Sequence, residues 1–150
     1  MAKLSHALFL ILVASPALAA SPKGDWLVED QTAIIRVDSC GTAMCGTVAW
    51  TKDQSSLDEN NPDPAKRTRP ILGLQLLLGM KPASDGRWEG DIYNPKNGKI
   101  YSSRMWLKSD DTLRVEGCVM GFLCSGQEWT RTKLETPASA NPQRPAPARK

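Results

Sequence analysis

The chain carries a single histidine, His6, which lies near the N-terminus and leaves the rest of the chain with none. Histidine is the commonest general base, the commonest metal ligand and the usual pH switch near neutrality. The sequence also lacks a Gly-x-Ser-x-Gly elbow and an apolar run of the roughly 20 residues that a membrane span needs. Its net charge is only +3, which is not the footprint of a nucleic-acid-binding domain. These absences argue against an enzyme, a nucleic-acid-binding protein and a membrane-spanning protein.

The two ends of the chain differ in composition from its middle. Lys3, the apolar residues 8–13 and the small-x-small triplet Ala17-Leu18-Ala19 are typical of a secretory signal. Residues 134–150 are rich in proline, alanine and basic side chains, which predicts a disordered tail. We therefore predict a signal peptide at residues 1–19, one domain at residues 20–133 and a periplasmic or secreted location.

Four cysteines lie in the predicted domain: Cys40, Cys45, Cys118 and Cys124. Behind a signal peptide an even number of cysteines predicts disulfides, and four of them allow three pairings. We favour Cys40–Cys45 and Cys118–Cys124, because each pair flanks a short turn that contains glycine and would fix the register of one hairpin. A zinc site built from all four is the alternative, but the C-x4-C and C-x5-C spacings are wider than those of usual zinc knuckles.

Short strand signals separated by turns recur along the predicted domain. The clearest turn is Asn94–Gly98, whose Asn-Gly pair tolerates positive φ. We count eight strands, and antiparallel strands of this number tend to close into a barrel, which removes exposed edges. The sequence therefore predicts an all-β fold, a small antiparallel up-and-down barrel. In that order the connections 29–32, 51–70, 94–98 and 118–124 share one end, and the Cys40–Cys45 turn lies at the other.

The stretch Asp58–Met80 joins the longest polar loop to the most apolar strand. Prolines in the Asn60–Pro64 segment exclude a helix there. Alternation predicts a strand over Ile71–Met80. One face would carry Leu72, Leu74, Leu76, Leu78 and Met80, and the other Ile71, Gly73, Gln75, Leu77 and Gly79. The leucine content leaves a helix as the alternative, and the glycines argue against it.

Two family resemblances are carried by specific residues. Gly24-x-Trp26 and Trp129-Thr130-Arg131 resemble the signature of calycin (lipocalin-like) barrels. In that family an arginine of the last strand covers the tryptophan near the start, which implies that Arg131 stacks on Trp26 at the closing seam. The segment 24–131 is also similar to the bacterial domain of unknown function 2147 family, through pieces such as DENNPDPAKRTRPILG and VEGCVMGFLCSGQEWTR. This second resemblance implies a small exported barrel and supplies no activity.

The loop Asn60–Pro70 is the best candidate for a binding site. Its arginines are suited to hold an anion at the barrel mouth. Alternatively, the loop satisfies its own backbone through Asx turns, and its arginines pair with Asp58, Glu59 or Asp63. Two tyrosines beside the 94–98 turn share this end, although they are also ordinary cross-strand packing residues. The predicted ligand-binding residues are Asn60, Asn61, Asp63, Arg67, Arg69, Tyr93 and Tyr101.

Other constellations are weaker. The pattern Asp58-x-Asn60-x-x-Asp63 supplies oxygen atoms, but it has no glycine at the sixth position that a calcium loop needs. We therefore predict no metal and no cofactor. Four tryptophans either line a pocket or fill the core of the barrel, and we favour the core. They are Trp50, Trp88, Trp106 and Trp129.

The sequence thus predicts a non-enzymatic, exported, monomeric barrel that binds an unknown small molecule or an envelope partner at the Asn60–Pro70 end. A structural or protein-interaction module with a filled barrel is the alternative. A hydrolase that uses Asp58, Glu59 and Asp63 is the third hypothesis. An open interior of roughly 300 Å³ or more favours ligand binding, and two facing carboxyl groups about 5–9.5 Å apart favour the hydrolase.

Overall fold

The computed structural model describes residues 21–134, so the predicted signal peptide and the predicted tail from residue 135 onward lie outside the described residues. Eight antiparallel strands follow one another in sequence order and close into a barrel. They are β1 (Gly24–Leu27), β2 (Ala33–Cys40), β3 (Ala43–Thr51), β4 (Gln75–Pro82), β5 (Trp88–Asn94), β6 (Lys99–Ser109), β7 (Thr112–Val119) and β8 (Leu123–Thr132). The predicted all-β, up-and-down architecture is confirmed.

The strands form where apolar residues alternate with polar ones. In β2, Ile35 and Val37 are buried, whereas Arg36 and Asp38 are exposed, as expected for a strand with one face in the core. Helical structure in residues 21–134 amounts to two three-residue 3-10 turns, Pro64–Lys66 and Ser84–Gly86. No helix in this range is long and apolar enough to cross a membrane.

The barrel closes where β1 pairs with β8, with Trp26 directly opposite Arg131. The guanidinium carbon of Arg131 lies 4.2 Å from the centroid of the fully buried Trp26 ring. The same guanidinium donates to the carbonyl oxygens of Lys23, at 2.8 Å, and Asp110, at 2.5 Å. A Cβ on Gly24 would lie 2.7 Å from Nη1 of Arg131. Because Gly24 has no side chain, the Gly-x-Trp pattern leaves room for the guanidinium of Arg131.

Both favoured disulfides are confirmed: Cys40–Cys45 and Cys118–Cys124. The first joins β2 to β3 and the second joins β7 to β8, so they lie at opposite ends of the barrel. Because disulfides form and persist in oxidising compartments, they indicate an environment outside the cytoplasm.

The apolar stretch after the central loop is a strand and not a helix, but it begins at Gln75 and not at Ile71. Residues 71–74 form a turn in which Gly73 has a φ of 84°. Leu72 is therefore 41% exposed, whereas Leu74 is buried against β3. A single positive-φ glycine thus separates the predicted ten-residue strand into a turn and a shorter strand.

The predicted faces of β4 are wrong. Leu77 and Met80 are both fully buried, although strict alternation assigned them to opposite faces. The register with β5 shifts between Leu78 and Lys81, where β4 has one residue more than its partner. Gly79, with a φ of 58°, lies in this irregular segment. The resulting β-bulge turns Met80 toward the same side as Leu77.

We predict that Arg131→Ala destabilises the protein by about 1–3 kcal/mol, because the variant loses the stacking on Trp26 and the hydrogen bonds across the seam. Urea unfolding measured by circular dichroism tests this prediction. Lys133→Ala, which removes an exposed cation just after β8, is the control and should stay within about 0.5 kcal/mol of wild type. Equal midpoints for both variants would contradict a structural role for the seam.

Candidate functional site

A cavity of about 1040 Å³ opens at one end of the barrel. At this end lie the odd-numbered connections, which are β1–β2, β3–β4, β5–β6 and β7–β8. Its wall is formed by apolar side chains from six strands, and its mouth by polar ones from the connections. The wall includes Ile35, Val48, Leu76, Ile92, Val115 and Trp129, and the mouth includes Asp30, Lys52, Asn60 and Lys96. The barrel therefore has an open interior at this end.

The opposite end of the barrel is filled. Trp26, Met44, Met80 and Met105 are buried there and do not line the cavity. Met44 and Met80 are direct partners across β3 and β4, next to the Cys40–Cys45 turn. Long unbranched methionine side chains fill irregular space well. Within residues 21–134, the interior therefore opens at the end with the odd-numbered connections and is filled at the other.

Small residues on β7 and β8 help to keep the cavity empty. Gly117 and Ser125 line it and bring no large side chain into it. A Cβ on Gly117 would lie 3.4 Å from the side chain of Ile92, inside the barrel. Gly117 and Ser125 therefore leave this wall of the cavity free of large side chains, and small residues at these two inward positions are the signal for it in the sequence.

The connection between β3 and β4 is held by the buried carboxylate of Asp58, which has no exposed surface. Tyr93 on β5 donates its hydroxyl to Oδ1 at 2.6 Å. Asn61 donates to Oδ2 at 2.7 Å, and Arg69 reaches the same oxygen with Nε at 2.9 Å and Nη2 at 2.8 Å. Asn61 also donates to the hydroxyl of Tyr93 at 3.0 Å. These four side chains, which we call the Asp58 network, attach the loop to the barrel wall.

The network shifts the acidity of two of its members. Burial by itself raises the pKa of Asp58, but the hydrogen bonds from Tyr93, Asn61 and Arg69 together outweigh it and hold that pKa below its ordinary value. Burial, followed by the hydrogen bond to Asp58 and its negative charge, raises the pKa of Tyr93. At neutral pH the network therefore contains a carboxylate and a neutral phenol, which is the charge state that its hydrogen bonds require.

A second attachment joins the loop to the turn between β5 and β6. The Asn60 amide donates to the carbonyl oxygens of Pro95 and Lys96, each at 3.2 Å. The carbonyl oxygen of Asn60 faces Gly98, where a Cβ would lie only 1.9 Å away. Gly98 therefore has to be glycine for two reasons, this close approach and its φ of 68°.

The seven predicted ligand-binding residues fall into two groups. Asn60, Tyr93 and Tyr101 line the cavity. The other four lie outside its lining and form contacts within the loop. Asn61 and Arg69 belong to the Asp58 network. Arg67 donates to the Asn61 carbonyl at 2.8 Å, and Asp63 accepts from the Ala65 amide at 3.0 Å. The arginine pairing with Asp58 is the arrangement that the alternative interpretation of the loop described. Ligand binding by any of the seven stays a prediction.

The four tryptophans do not act as one set. Trp129 is buried and lines the cavity, whereas the other three are half-buried. Trp106 stacks under Arg87, whose guanidinium carbon is 4.9 Å from the centroid of an indole ring. The interpretation that the tryptophans fill the core holds for Trp129, and Trp88 packs against the core, but it does not hold for Trp106. In β6, Met105 faces the core, so alternation turns the neighbouring Trp106 outward.

Two of the three loop carboxylates, Asp58 and Asp63, are engaged by partners within the loop or on the barrel wall. Both oxygens of Asp58 are engaged by Tyr93, Asn61 and Arg69, and Asp63 pairs with Lys66 at 3.3 Å. Within residues 21–134, no three histidine, cysteine, aspartate or glutamate side chains are grouped so that they could hold a metal ion. The polar groups of the loop stabilise its conformation.

Comparisons with known proteins agree with the geometry. The family model described as "Uncharacterized protein conserved in bacteria (DUF2147)" matches residues 24–131. A search of curated proteins gave no match. Among solved structures the chain is similar to HP1028 from Helicobacter pylori, described as a member of the lipocalin family, with a TM-score of 0.68 and 18% sequence identity. The similarity covers 77% of this chain and 85% of that one. At this identity the match shows the fold alone, and it confirms the lipocalin-like barrel.

We predict that Asp58→Asn destabilises the protein at pH 7 by about 2–4 kcal/mol, because it leaves Arg69 without its buried partner. The folded-state pKa of Asp58 is lowered, so its contribution is present above the unfolded pKa of about 3.9 and disappears as the pH falls through the folded value. The difference in unfolding free energy between the wild type and Asp58→Asn should therefore become smaller below about pH 4. Urea unfolding at a series of pH values measures it.

The control for this experiment is Asp85→Asn, which neutralises an exposed aspartate in the turn between β4 and β5. It should change the unfolding free energy by less than about 0.5 kcal/mol at every pH. If Asp58→Asn lost the same amount at pH 3 as at pH 7, the ionised carboxylate would not be what holds the loop.

We predict that Gly98→Ala displaces the loop from the β5–β6 turn, because its new methyl group would overlap the carbonyl oxygen of Asn60. Gly86→Ala is a matched control, since Gly86 has a φ of 69° and no atom within 4 Å of the added Cβ. Both variants carry the strain of positive φ. The additional loss of unfolding free energy in Gly98→Ala relative to Gly86→Ala, about 1–3 kcal/mol, therefore measures the overlap with Asn60. Urea unfolding and limited proteolysis of residues 52–74 would show it. Equal losses in the two variants would mean that the attachment is absent.

Proposed function

Since this chain belongs to the DUF2147 family of uncharacterized bacterial proteins, we propose its function from the geometry of the barrel: it binds a small, mainly apolar molecule in the cavity. The observation that carries this proposal is the cavity of about 1040 Å³ that reaches from the connections at the mouth to the buried side chains of the strands. Ligand sites typically enclose about 300–1,000 Å³. A barrel that served only as a scaffold would have no need to keep such a volume free of its own side chains.

The lining indicates the chemistry of the ligand. Val48, Val115 and Trp129 present apolar surface deep in the cavity. The charged side chains of the lining, such as Lys52 and Lys96, belong to the connections at the mouth. An apolar body gains free energy when it leaves water for such a wall, while a polar end group stays near the mouth. The ligand is therefore amphipathic or neutral and enters with its apolar part first.

Three of the predicted ligand-binding residues fit this orientation. Asn60 and Tyr93 lie on the loop side of the cavity, and Tyr101 lies on the neighbouring strand β6, paired with Ile92. The hydroxyl of Tyr101 accepts from the Asn97 amide at 2.8 Å and keeps its own proton available for a ligand acceptor. In this proposal Arg67 and Arg69 act through the loop conformation and do not contact the ligand.

The proposed role is binding without chemistry, in the periplasm or outside the cell. The volume of the interior counts against a filled barrel, and the engaged oxygens of Asp58 count against a hydrolase. The two disulfides support an extracytoplasmic site of action. An envelope protein as partner would need a surface other than the cavity wall.

We predict that Ser125→Trp weakens binding of a neutral apolar fluorophore, N-phenyl-1-naphthylamine, by about tenfold or more, because an indole would occupy the cavity. Thr130→Trp is the control on the same strand: Thr130 is exposed and does not line the cavity. Fluorescence titration measures both affinities, and circular dichroism verifies the fold. Equal affinities for both variants would place the fluorophore elsewhere and refute the proposed site.

Native mass spectrometry of the protein purified from its own cells tests the physiological side of the proposal. We expect a bound species of defined mass with the wild type and its loss with Ser125→Trp. A wild-type spectrum that shows only the unliganded mass, from cells in which the protein is abundant, would contradict a resident ligand.

A further inference from the structure

The exposed apolar side chains of the barrel are confined to the cavity end. All seven large hydrophobic residues of residues 21–134 that are exposed belong to, or adjoin, the odd-numbered connections. Five of them group around the β7–β8 turn: Ile100, Val119, Met120, Phe122 and Leu123. The other two, Leu57 and Leu72, lie on the β3–β4 connection. These seven side chains, which we call the apolar rim, lie at the mouth of the cavity beside its polar residues.

The β7–β8 turn is the most prominent part of this rim. Met120 is 79% exposed and Phe122 is 69% exposed. The Cys118–Cys124 disulfide crosses the hairpin directly behind the turn and restrains it. From Gly117 to Gln127 the sequence contains no charged residue. The turn is therefore a rigid, uncharged and convex apolar tip.

We propose that this tip inserts into the surface of a lipid bilayer and docks the cavity mouth against it. A convex tip suits a soft apolar medium better than it suits a flat or convex protein surface. Because residues 117–127 carry no charged side chain, their insertion does not require a charge to leave water. Exposed aromatic and aliphatic side chains partition favourably from water into the interface of a lipid bilayer. Exposed lysines on the neighbouring turn, Lys96 and Lys99, suit the headgroup level.

The rim is continuous with the cavity. Leu57, Val119 and Leu123 are exposed at the rim and also line the cavity. An apolar molecule in the bilayer could therefore enter the barrel without crossing water. Docking to the bilayer needs no ligand, so it can be tested independently of the proposed binding function. The experiment therefore uses protein without added ligand.

Flotation with vesicles of phosphatidylcholine, a neutral lipid, tests this proposal. We expect the wild-type protein to float with the vesicles at both low and high salt, because insertion is apolar. Phe122→Asp should reduce the bound fraction by about tenfold or more, since it places a charge in the tip. Thr42→Asp, in the disulfide-bonded turn at the other end, adds the same charge and should bind as the wild type does.

Three results would overturn the proposal. The first is a wild-type protein that stays with the soluble fraction. The second is equal weakening by Phe122→Asp and Thr42→Asp, which would mean that net charge and not the tip decides binding. The third is sedimentation showing a dimer that Phe122→Asp disperses while no vesicle binding occurs, which would assign the rim to a second copy of this chain.

Discussion

The buried carboxylate of Asp58 determines how the longest connection of the barrel is held. It accepts hydrogen bonds from two residues of its own loop, Asn61 and Arg69, and from Tyr93 on β5. A buried carboxylate without such partners would be costly, so the three donors are needed together. Because they fix the loop against β5, the loop contributes Leu57, among others, to the cavity wall and leaves the interior open.

Topology then decides where chemistry is possible. In an up-and-down barrel the odd-numbered connections meet at one end, and here they bring together the attached loop, the β5–β6 turn and the apolar tip of the β7–β8 turn. The other end is closed by Met44 and Met80 in the core, with the stacked pair of Trp26 and Arg131 beside them at the seam. The packed end therefore stabilises the barrel, and the other end gives solvent and ligands access to the cavity.

The sequence predicted those features that depend on local patterns. Alternation, turn residues and cysteine spacing sufficed for the strands, the closure and both disulfides. The bulge at Gly79 was missed, because a glycine that takes positive φ in a strand has no local mark that distinguishes it from one that does not. The loop was identified as the important segment, but the function of Arg69 depends on the distant Tyr93 and could not be deduced. Whether the interior is open could not be deduced from the sequence, since it depends on how Gly117 and Ser125 face side chains from five other strands.

The central claim is that the barrel holds an open apolar chamber at its loop end. Xenon enters apolar cavities and is visible in diffraction, so a crystal of this protein pressurised with xenon examines the claim without any assumption about the ligand. We expect xenon among Ile35, Val48 and Val115, and none among the methionines at the closed end. An interior without xenon, collapsed around these three side chains, would contradict the claim.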